Sequence, residues 1–265
     1  MGLLTGKTAL IFGVANEHSI AWGIAQAFAR EGATVGFSYA IDKLERRVRP
    51  LAESLGSTFV ERCDLSKDDE ILATLEKAKN HYGGIDILVH SVAFANREDL
   101  SGPYYNVSRE GFRLAMDISV YSFTALARAA LPIMRPNGSM LTMSYIGSVR
   151  AINHYNVMGV AKAALEASVR YLAADMGVDE KRIRVNSISA GPIRTLAVAG
   201  IAGSRMLISD FAKVSMLHRN ISIDEVGNSA AYLCSDLASG VTGEIHYVDT
   251  GFSVAGFPST EETAG

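Results

Sequence analysis

Residues 8–30 read TALIFGVANEHSIAWGIAQAFAR and contain the unit that the rest of the chain repeats. The run 8–12 is short and apolar, which predicts a buried strand, whereas 20–30 has apolar residues at helical spacing. The turn 13–23 opens on Gly13 and leads directly into that helix. A strand, a glycine-led turn and a helix in this order predict the first half of a βαβ unit.

The same alternation of apolar runs and helical segments continues almost to the end of the chain. The predicted strands are 8–12, 34–39, 58–62, 85–91, 139–144, 183–189 and 244–248. The predicted helices are 20–30, 44–55, 68–81, 109–131, 155–175 and 223–234. Gly32, Gly56 and the pair 83–84 follow helices, where a left-handed glycine is expected.

Near-continuous apolar strands joined by helices indicate a parallel sheet that is covered on both faces. The predicted fold class is therefore α/β, a doubly wound, Rossmann-like parallel sheet of about seven strands. No linker or repeat interrupts the alternation, so 1–265 is predicted to be a single domain. The segment 191–222 lacks a strand and is too long for an ordinary connection, which favours a substrate-covering role.

Composition narrows the class of protein. With 48% hydrophobic residues and a formal net charge of −3, the chain has ample core material and no basic footprint for nucleic acid. Cys63 and Cys234 lie far apart, so we expect buried thiols in a reducing compartment and no metal site. No signal peptide is expected and no apolar run approaches ~18 residues, so we predict a cytoplasmic protein without a membrane span.

The first turn resembles a degenerate phosphate-binding turn. Glycine there lets the backbone approach a pyrophosphate, and the following helix N-terminus offers free N–H groups. Gly13 is in place, but Ser19 stands where a middle glycine is expected. Ser19 can therefore belong to a dinucleotide site or act as a simple helix N-cap, and its place between strand and helix favours the former.

The ends of the next strands bear on the choice of cofactor. The acidic residue that commonly binds the adenosine ribose is missing, because the second strand ends at Tyr39-Ala40. This favours NADH, although NADPH stays open because three cations begin the next helix and can either approach a 2′-phosphate or form a solvated face: Lys43, Arg46 and Arg47. Asp64 can accept a hydrogen bond from the adenine amino group or cap the following helix. Thr195 can bond the nicotinamide carboxamide or a phosphate.

The segment 144–162 resembles the short-chain dehydrogenase/reductase superfamily, in which a tyrosine and a lysine four positions later share one helix face. A serine precedes that lysine by about 17 residues. Here the usual tyrosine and serine positions hold Met158 and Tyr145, and the sequence YNVMGVAK at 155–162 places a tyrosine seven positions before Lys162. Seven helical steps return to within ~20° of the same face but ~10 Å along the axis, so Tyr155 and Lys162 are predicted to face one cleft.

The displaced tyrosine suits a conjugated enoyl group better than a ketone. In an enoyl thioester, hydride goes to C3 while charge develops on an oxygen two carbons away, so the acid must stand further from the nicotinamide. A tyrosine hydroxyl can donate to that enolate oxygen, and a nearby ammonium is expected to stabilise the charge and lower the phenol pKa. Half-buried aromatic packing beside a lysine is the other interpretation.

The chain as a whole resembles the bacterial NADH-dependent enoyl-acyl-carrier-protein reductases of dissociated fatty-acid synthesis. The resemblance rests on HSVAFA at 90–95, MSYIG at 143–147, YNVMGVAKAALEASVRY at 155–171, VNSISAGPIRTLA at 185–197 and SGVTGEIHYVD at 239–249, with the first turn. It departs from the family at Ala93, where glycine is frequent, and at Ala40, where a polar residue is frequent. The first departure can narrow the pocket beside the nicotinamide, the second leaves the cofactor preference open, and neither removes a catalytic group.

The resemblance implies roles for individual residues. Tyr155 would bond the substrate carbonyl, Lys162 would hold the nicotinamide ribose, and Tyr145 would assist beside the thioester. The implied cofactor site is lined by Gly13, Ser19, Ile20, Asp64, Leu65, Val92, Lys162, Ile193 and Thr195, with Ala95 close to the substrate. The resemblance also implies NADH as cofactor, an enoyl chain on an acyl-carrier protein as substrate, and a homotetramer.

Some assignments stay open at this stage. An apolar set can enclose the acyl chain or form an ordinary buried stripe: Phe94, Met158, Ala197, Ile201 and Met206. Three scattered cations can contact an acidic carrier protein: Arg194, Arg205 and Lys213. A ketone or alcohol dehydrogenase is disfavoured because Met158 cannot donate a proton. A non-catalytic dinucleotide-binding protein would usually have lost Tyr155 or Lys162.

Overall fold

The computed structural model describes residues 2–195 and 204–256, and for 204–207 only the backbone. Seven parallel strands form one sheet in the order β3-β2-β1-β4-β5-β6-β7. They are β1 Thr8–Phe12, β2 Thr34–Tyr39, β3 Val60–Arg62, β4 Ile85–His90, β5 Met134–Ser144, β6 Arg184–Ala190 and β7 Ile245–Val248. The predicted doubly wound, seven-stranded fold is confirmed, with the strand order reversing between β1 and β4.

The described helices lie between these strands. They are α1 Ile20–Arg30, α2 Glu45–Ser54, α3 Asp68–Tyr82, α4 Arg109–Met116, α5 Ser122–Ala130, α6 Asn156–Val178, α7 Ser204–Val214 and α8 Ile223–Cys234. Asp117–Tyr121 is a wider, π-helical turn that joins α4 to α5. The predicted helix 109–131 is thus interrupted, and α7 falls in a segment where no helix was predicted.

The two faces of the sheet carry separate cores. Strand β1 shows how, because its alternate residues point to opposite faces. Ala9 and Ile11 pack with α1, α2 and α8 in one cluster, while Leu10 and Phe12 pack with α3, α5 and α6 in the other. Every residue of β1 is buried, which explains why its sequence is a continuous apolar run.

Helices α1 and α8 approach each other through two glycines. A Cβ on Gly23 would lie 2.4 Å from the carbonyl oxygen of Ile223, and one on Gly227 would lie 2.4 Å from the carbonyl oxygen of Gly23. Gly23, the last residue of the turn 13–23, therefore serves the packing of α1 against α8.

The long helical stretch Arg109–Ile133 also meets the length and mean hydropathy, 1.2, of a membrane span. Half of the window that meets these criteria is buried inside the domain, and Phe123, Leu126 and Ala130 belong to the core of the second face. Cys63 and Cys234 are buried free thiols, as predicted. Within the described ranges no group of three or more His, Cys, Asp or Glu side chains could hold a metal ion.

Candidate active site

A cavity of about 360 Å³ lies at the carboxyl ends of the strands, where β1 and β4 are neighbours. In doubly wound sheets this is the place where ligands bind. Nine of the predicted site residues line the cavity: Gly13, Ser19, Ile20, Val92, Tyr145, Tyr155, Lys162, Ile193 and Thr195. The cavity also has an apolar end at Ala40 and Leu44, which follow β2.

The first turn is held in a closed form by Gly13 and Ser19. Gly13 has a φ of 109°, and a Cβ there would lie 2.1 Å from the carbonyl oxygen of Ser91, so the turn requires glycine. The Ser19 hydroxyl accepts hydrogen bonds from the backbone N–H groups of Ala15 and Asn16, both at 3.1 Å. Ser19 occupies the N-cap position of α1, but its side chain bonds the turn and no helix N–H.

Asp64 and Leu65 are not among the residues that line the cavity. The Asp64 carboxylate accepts hydrogen bonds from the backbone N–H and the hydroxyl of Ser66, at 3.1 and 2.8 Å. The N-cap of α3 is Lys67, so Asp64 does not cap that helix. Leu65 is buried in the core of the second face. An adenine contact by Asp64 therefore stays a prediction.

Two tyrosines meet at the opposite end of the cavity. Tyr145 follows β5 directly and Tyr155 immediately precedes α6. Their ring centroids are 4.8 Å apart, with the rings inclined at 64°. Gly147 lies beneath this pair, and a Cβ on it would come within 2.5 Å of the Tyr155 ring. Gly147 was not predicted from the sequence, because its role depends on a contact that only the fold creates.

Lys162 stands on α6 and is buried, with a side chain that reaches back to the end of β5. Its ammonium donates a hydrogen bond to the carbonyl oxygen of Met143 at 2.8 Å. An ammonium has three N–H donors, and within the described part of the chain this is its one hydrogen bond. Two donors are therefore available to a ligand in the cavity.

Burial controls the protonation of these three groups. It lowers the pKa of the Lys162 ammonium to about 8, with the charge of Glu166 acting in the opposite direction. It raises the pKa of the Tyr145 phenol to about 12. The pKa of Tyr155 is also raised, mainly by burial and further by Tyr145. Both shifts run opposite to the predicted lowering of the phenol pKa by the ammonium, burial is their main cause, and both phenols are protonated.

The predicted acyl-binding residues are only partly described. Met158 is buried with its sulfur 3.7 Å from the Ser119 hydroxyl, and that hydroxyl also accepts from the backbone N–H of Phe94 at 2.9 Å. Phe94 is 48% exposed, and Ala95 packs at the edge of the core. Phe94, Ala95 and Met158 do not line the cavity. Ala197, Ile201 and the side chain of Met206 lie outside the described residues.

Two buried polar groups beside the site were not predicted. His90 ends β4, and its ring bonds the hydroxyls of Thr142 and Ser122, both at 2.9 Å. Burial and the charge of Lys162 lower the His90 pKa to about 3, so the ring is neutral. Glu166 lies one turn beyond Lys162 on α6 and accepts a hydrogen bond from Ser144. The i,i+4 spacing of Lys162 and Glu166 was the only sequence signal for this second group.

Comparison with known proteins gives the family. Residues 13–253 match the family described as enoyl-(acyl carrier protein) reductase. The Rhizobium meliloti enoyl-acyl-carrier-protein reductase (NADH) 2 is 50% identical over 98% of this chain and 96% of its own length. The crystal structure of an NADH enoyl-acyl-carrier-protein reductase from Aquifex aeolicus has a TM-score of 0.94 and 49% identity, covering 97% of this chain and 100% of that one.

A third relative was crystallised with a dinucleotide. The enoyl-(acyl-carrier-protein) reductase from Anaplasma phagocytophilum in complex with NAD has a TM-score of 0.93 and 46% identity, covering 97% of this chain and 98% of that one. The agreement extends over nearly the whole of each sequence and each fold. The chain therefore belongs to the enoyl-(acyl carrier protein) reductase family.

Proposed function

We propose that this chain is an NADH-dependent oxidoreductase that reduces trans-2-enoyl thioesters, carried on an acyl-carrier protein, to saturated acyl thioesters in bacterial fatty-acid elongation. The observation that carries the proposal is the arrangement of Tyr145, Tyr155 and Lys162 on one cavity, with Met158 in the usual tyrosine position and buried against Ser119. Relatives that match over nearly the full length include NADH enoyl-acyl-carrier-protein reductases.

The cavity has the features that a nicotinamide dinucleotide requires. Its volume, about 360 Å³, lies in the range of cofactor pockets. Gly13 keeps the first turn close to β4, and the start of α1 at Ile20 opens onto the cavity. NADH, when bound, supplies the hydride that reaches C3 of the enoyl group. The contacts proposed to hold it are Gly13, Ser19, Ile20, Val92, Lys162, Ile193 and Thr195, with Asp64 and Leu65 as predicted contacts toward the adenine end.

The two phenols and the ammonium supply the rest of the chemistry. A protonated Tyr155 donates a hydrogen bond to the thioester oxygen and stabilises the negative charge that develops there, and protonation of the resulting enolate at C2 gives the saturated thioester. Lys162 offers two N–H donors to ribose hydroxyls and places a positive charge near the same oxygen. Tyr145, in edge contact with Tyr155, assists beside the thioester. The fold already holds these three groups in place, so little free energy is needed to reorganise them during the reaction.

The reaction type is tested by comparing substrates. With crotonyl and longer enoyl thioesters, we expect NADH oxidation at a rate at least about a hundredfold above that with the matching 3-ketoacyl thioesters, because the acid is displaced from the position that a ketone needs. The measurement is the loss of NADH absorbance, repeated with NADPH. Equal rates on the two substrates would indicate a carbonyl reductase, and NADH binding without turnover would indicate a non-catalytic protein.

The assembly and location proposed for the chain are a homotetramer in the cytoplasm, without a membrane or nucleic-acid partner. The two long helical stretches 109–131 and 155–175 are proposed as interface elements, and large side chains stand exposed on them, including Tyr121 at 47% and Tyr171 at 76%. Covering them would bury apolar surface. Light scattering is expected to give four times the chain mass of 28.4 kDa. A mass of one chain would overturn the tetramer.

The carrier protein is proposed to approach along the segment 191–222. Arg194 and Arg205 are its proposed basic contacts, together with Lys213, which forms an ion pair with Asp210 at 3.1 Å. The same segment is proposed to cover the acyl chain, for which Phe94, Ala95, Met158, Ala197, Ile201 and Met206 are the proposed contacts. Carrier-protein titration tests the proposed basic contacts, and cell fractionation tests the proposed cytoplasmic location.

A further inference from the structure

A buried carboxylate lies beside the site and has no part in the reaction described above. Glu166 stands on α6, and its Oε1 accepts a hydrogen bond from the Ser144 hydroxyl at 2.5 Å. Both residues are 6% exposed. Ser144 is the last residue of β5 and lines the cavity. A buried charge costs free energy unless the surroundings compensate for it, so the position of Glu166 calls for an explanation.

The geometry links α6 to the end of β5 at two successive residues. Lys162 donates to the carbonyl oxygen of Met143 at 2.8 Å, and Glu166 accepts from Ser144. The two helix residues are four apart, so they lie on the same face. The next residue of the chain after Ser144 is Tyr145. These two hydrogen bonds therefore fix the place where Tyr145 leaves the strand, relative to Lys162.

The electrostatic surroundings of Lys162 give Glu166 a second role. Burial disfavours the ammonium, and the Glu166 carboxylate opposes that effect. The other titratable groups at this point are the neutral His90 from β4, the protonated Tyr145 and Tyr155, and Tyr247 of β7, which faces Glu166. Across the described ranges, Glu166 is thus the counter-charge that acts on Lys162.

We propose that Glu166 is a positioning residue for the reduction: through Ser144 it fixes the exit of Tyr145 from β5, and as counter-charge it holds Lys162 in the ammonium form. The proposal rests on the proposed function for its kinetic readout. Enoyl reduction by the unchanged protein is measured first, so a failure of the proposed function is distinguished from a failure of the role proposed for Glu166.

The test is the pH dependence of kcat and of NADH affinity in Glu166→Gln. Without the carboxylate, the pKa of Lys162 falls further below its ordinary value, so the alkaline loss of activity should move to lower pH by about one unit. The pH at which NADH affinity declines, measured by fluorescence titration, should move by the same amount. Asp175→Asn, which removes an exposed acid from the same helix, is the matched control and should move neither.

A second variant separates the two roles. Ser144→Ala keeps the carboxylate but breaks its bond to β5, so kcat should fall by about tenfold at every pH while the alkaline limb stays where it is. Glu166→Asp keeps the charge, so the alkaline loss of activity should occur at the same pH as in the unchanged enzyme. The proposal is overturned if the limb of Glu166→Gln coincides with that of the unchanged enzyme, or if Ser144→Ala has unchanged kcat. Should Glu166→Gln fail to fold by circular dichroism, the Ser144→Ala result decides.

Discussion

Replacing Lys162 with methionine should lower kcat/KM for an enoyl thioester by about a thousandfold and weaken NADH binding by at least about tenfold. Methionine has a similar length and is a good helix former, so α6 should be unchanged. The substitution removes two N–H donors that face the cavity and the positive charge near the developing enolate. Both losses act at the same end of the cavity, which is why the expected effect is among the largest in the molecule.

Stability should also fall in this variant. Lys162 is 6% exposed and its ammonium is disfavoured by burial. Methionine avoids that cost, but it leaves the buried Glu166 carboxylate without its counter-charge and the Met143 carbonyl oxygen without its donor, so the free energy of unfolding should fall by about 3–5 kcal/mol. Urea unfolding, steady-state kinetics and NADH fluorescence titration provide the three measurements. Lys79→Met, on the exposed face of α3, is the control. Activity within threefold of the unchanged enzyme would contradict the role of Lys162.

The parts of the fold that the sequence predicted correctly are those where local pattern and tertiary environment agree. Strand β1 and helix α1 have the predicted bounds because a fully buried strand reads as an apolar run and an amphipathic helix keeps its period. Gly32, Gly56 and Gly83 have φ values of 89°, 73° and 71° and end helices as predicted, whereas the second glycine of the pair, Gly84, is not left-handed.

Two errors in the predicted elements have different physical origins. Strand β5 begins at Met134, five residues before the predicted start, although Pro136 and Gly138 resemble a turn. Met134 pairs with Ile85, and the register then shifts before Ile87. Pairing with a neighbouring strand thus overrides local preference. The π-helical turn at Asp117–Tyr121 was likewise undetectable, since one widened turn barely changes the apolar spacing.

The candidate site likewise contains residues that could be predicted from the sequence and residues that could not. Tyr155 and Lys162 were predictable because they lie seven positions apart on one element, where spacing alone sets their relation. Glu166 and Ser144 are 22 positions apart, and an acidic residue on a helix ordinarily indicates a solvated face. Gly147 was missed for the same reason, as only the folded chain brings it under the Tyr155 ring. A local sequence pattern does not reveal contacts between segments that are distant along the chain.

Replacing Tyr155 with phenylalanine should lower kcat by about a hundredfold to a thousandfold while NADH affinity changes by less than about threefold. The change removes one hydroxyl and keeps the ring, so the contact with Gly147 and the edge contact with Tyr145 persist. Within the described part of the chain, the Tyr155 hydroxyl has no recorded hydrogen bond that the substitution would break. The loss of rate therefore reports the hydrogen bond to the substrate oxygen.

Tyr145→Phe is the matched control, since it removes a hydroxyl of the same kind from the other ring of the pair. An assisting group should cost only about tenfold in kcat, against the larger loss at Tyr155. Stopped-flow reduction of an enoyl thioester at saturating NADH measures both variants in a single turnover. A larger loss in Tyr145→Phe would exchange the two roles. Full activity in Tyr155→Phe would remove the acid from the mechanism, because Met158 cannot replace it and the raised pKa of Tyr145 gives that phenol no advantage as a donor.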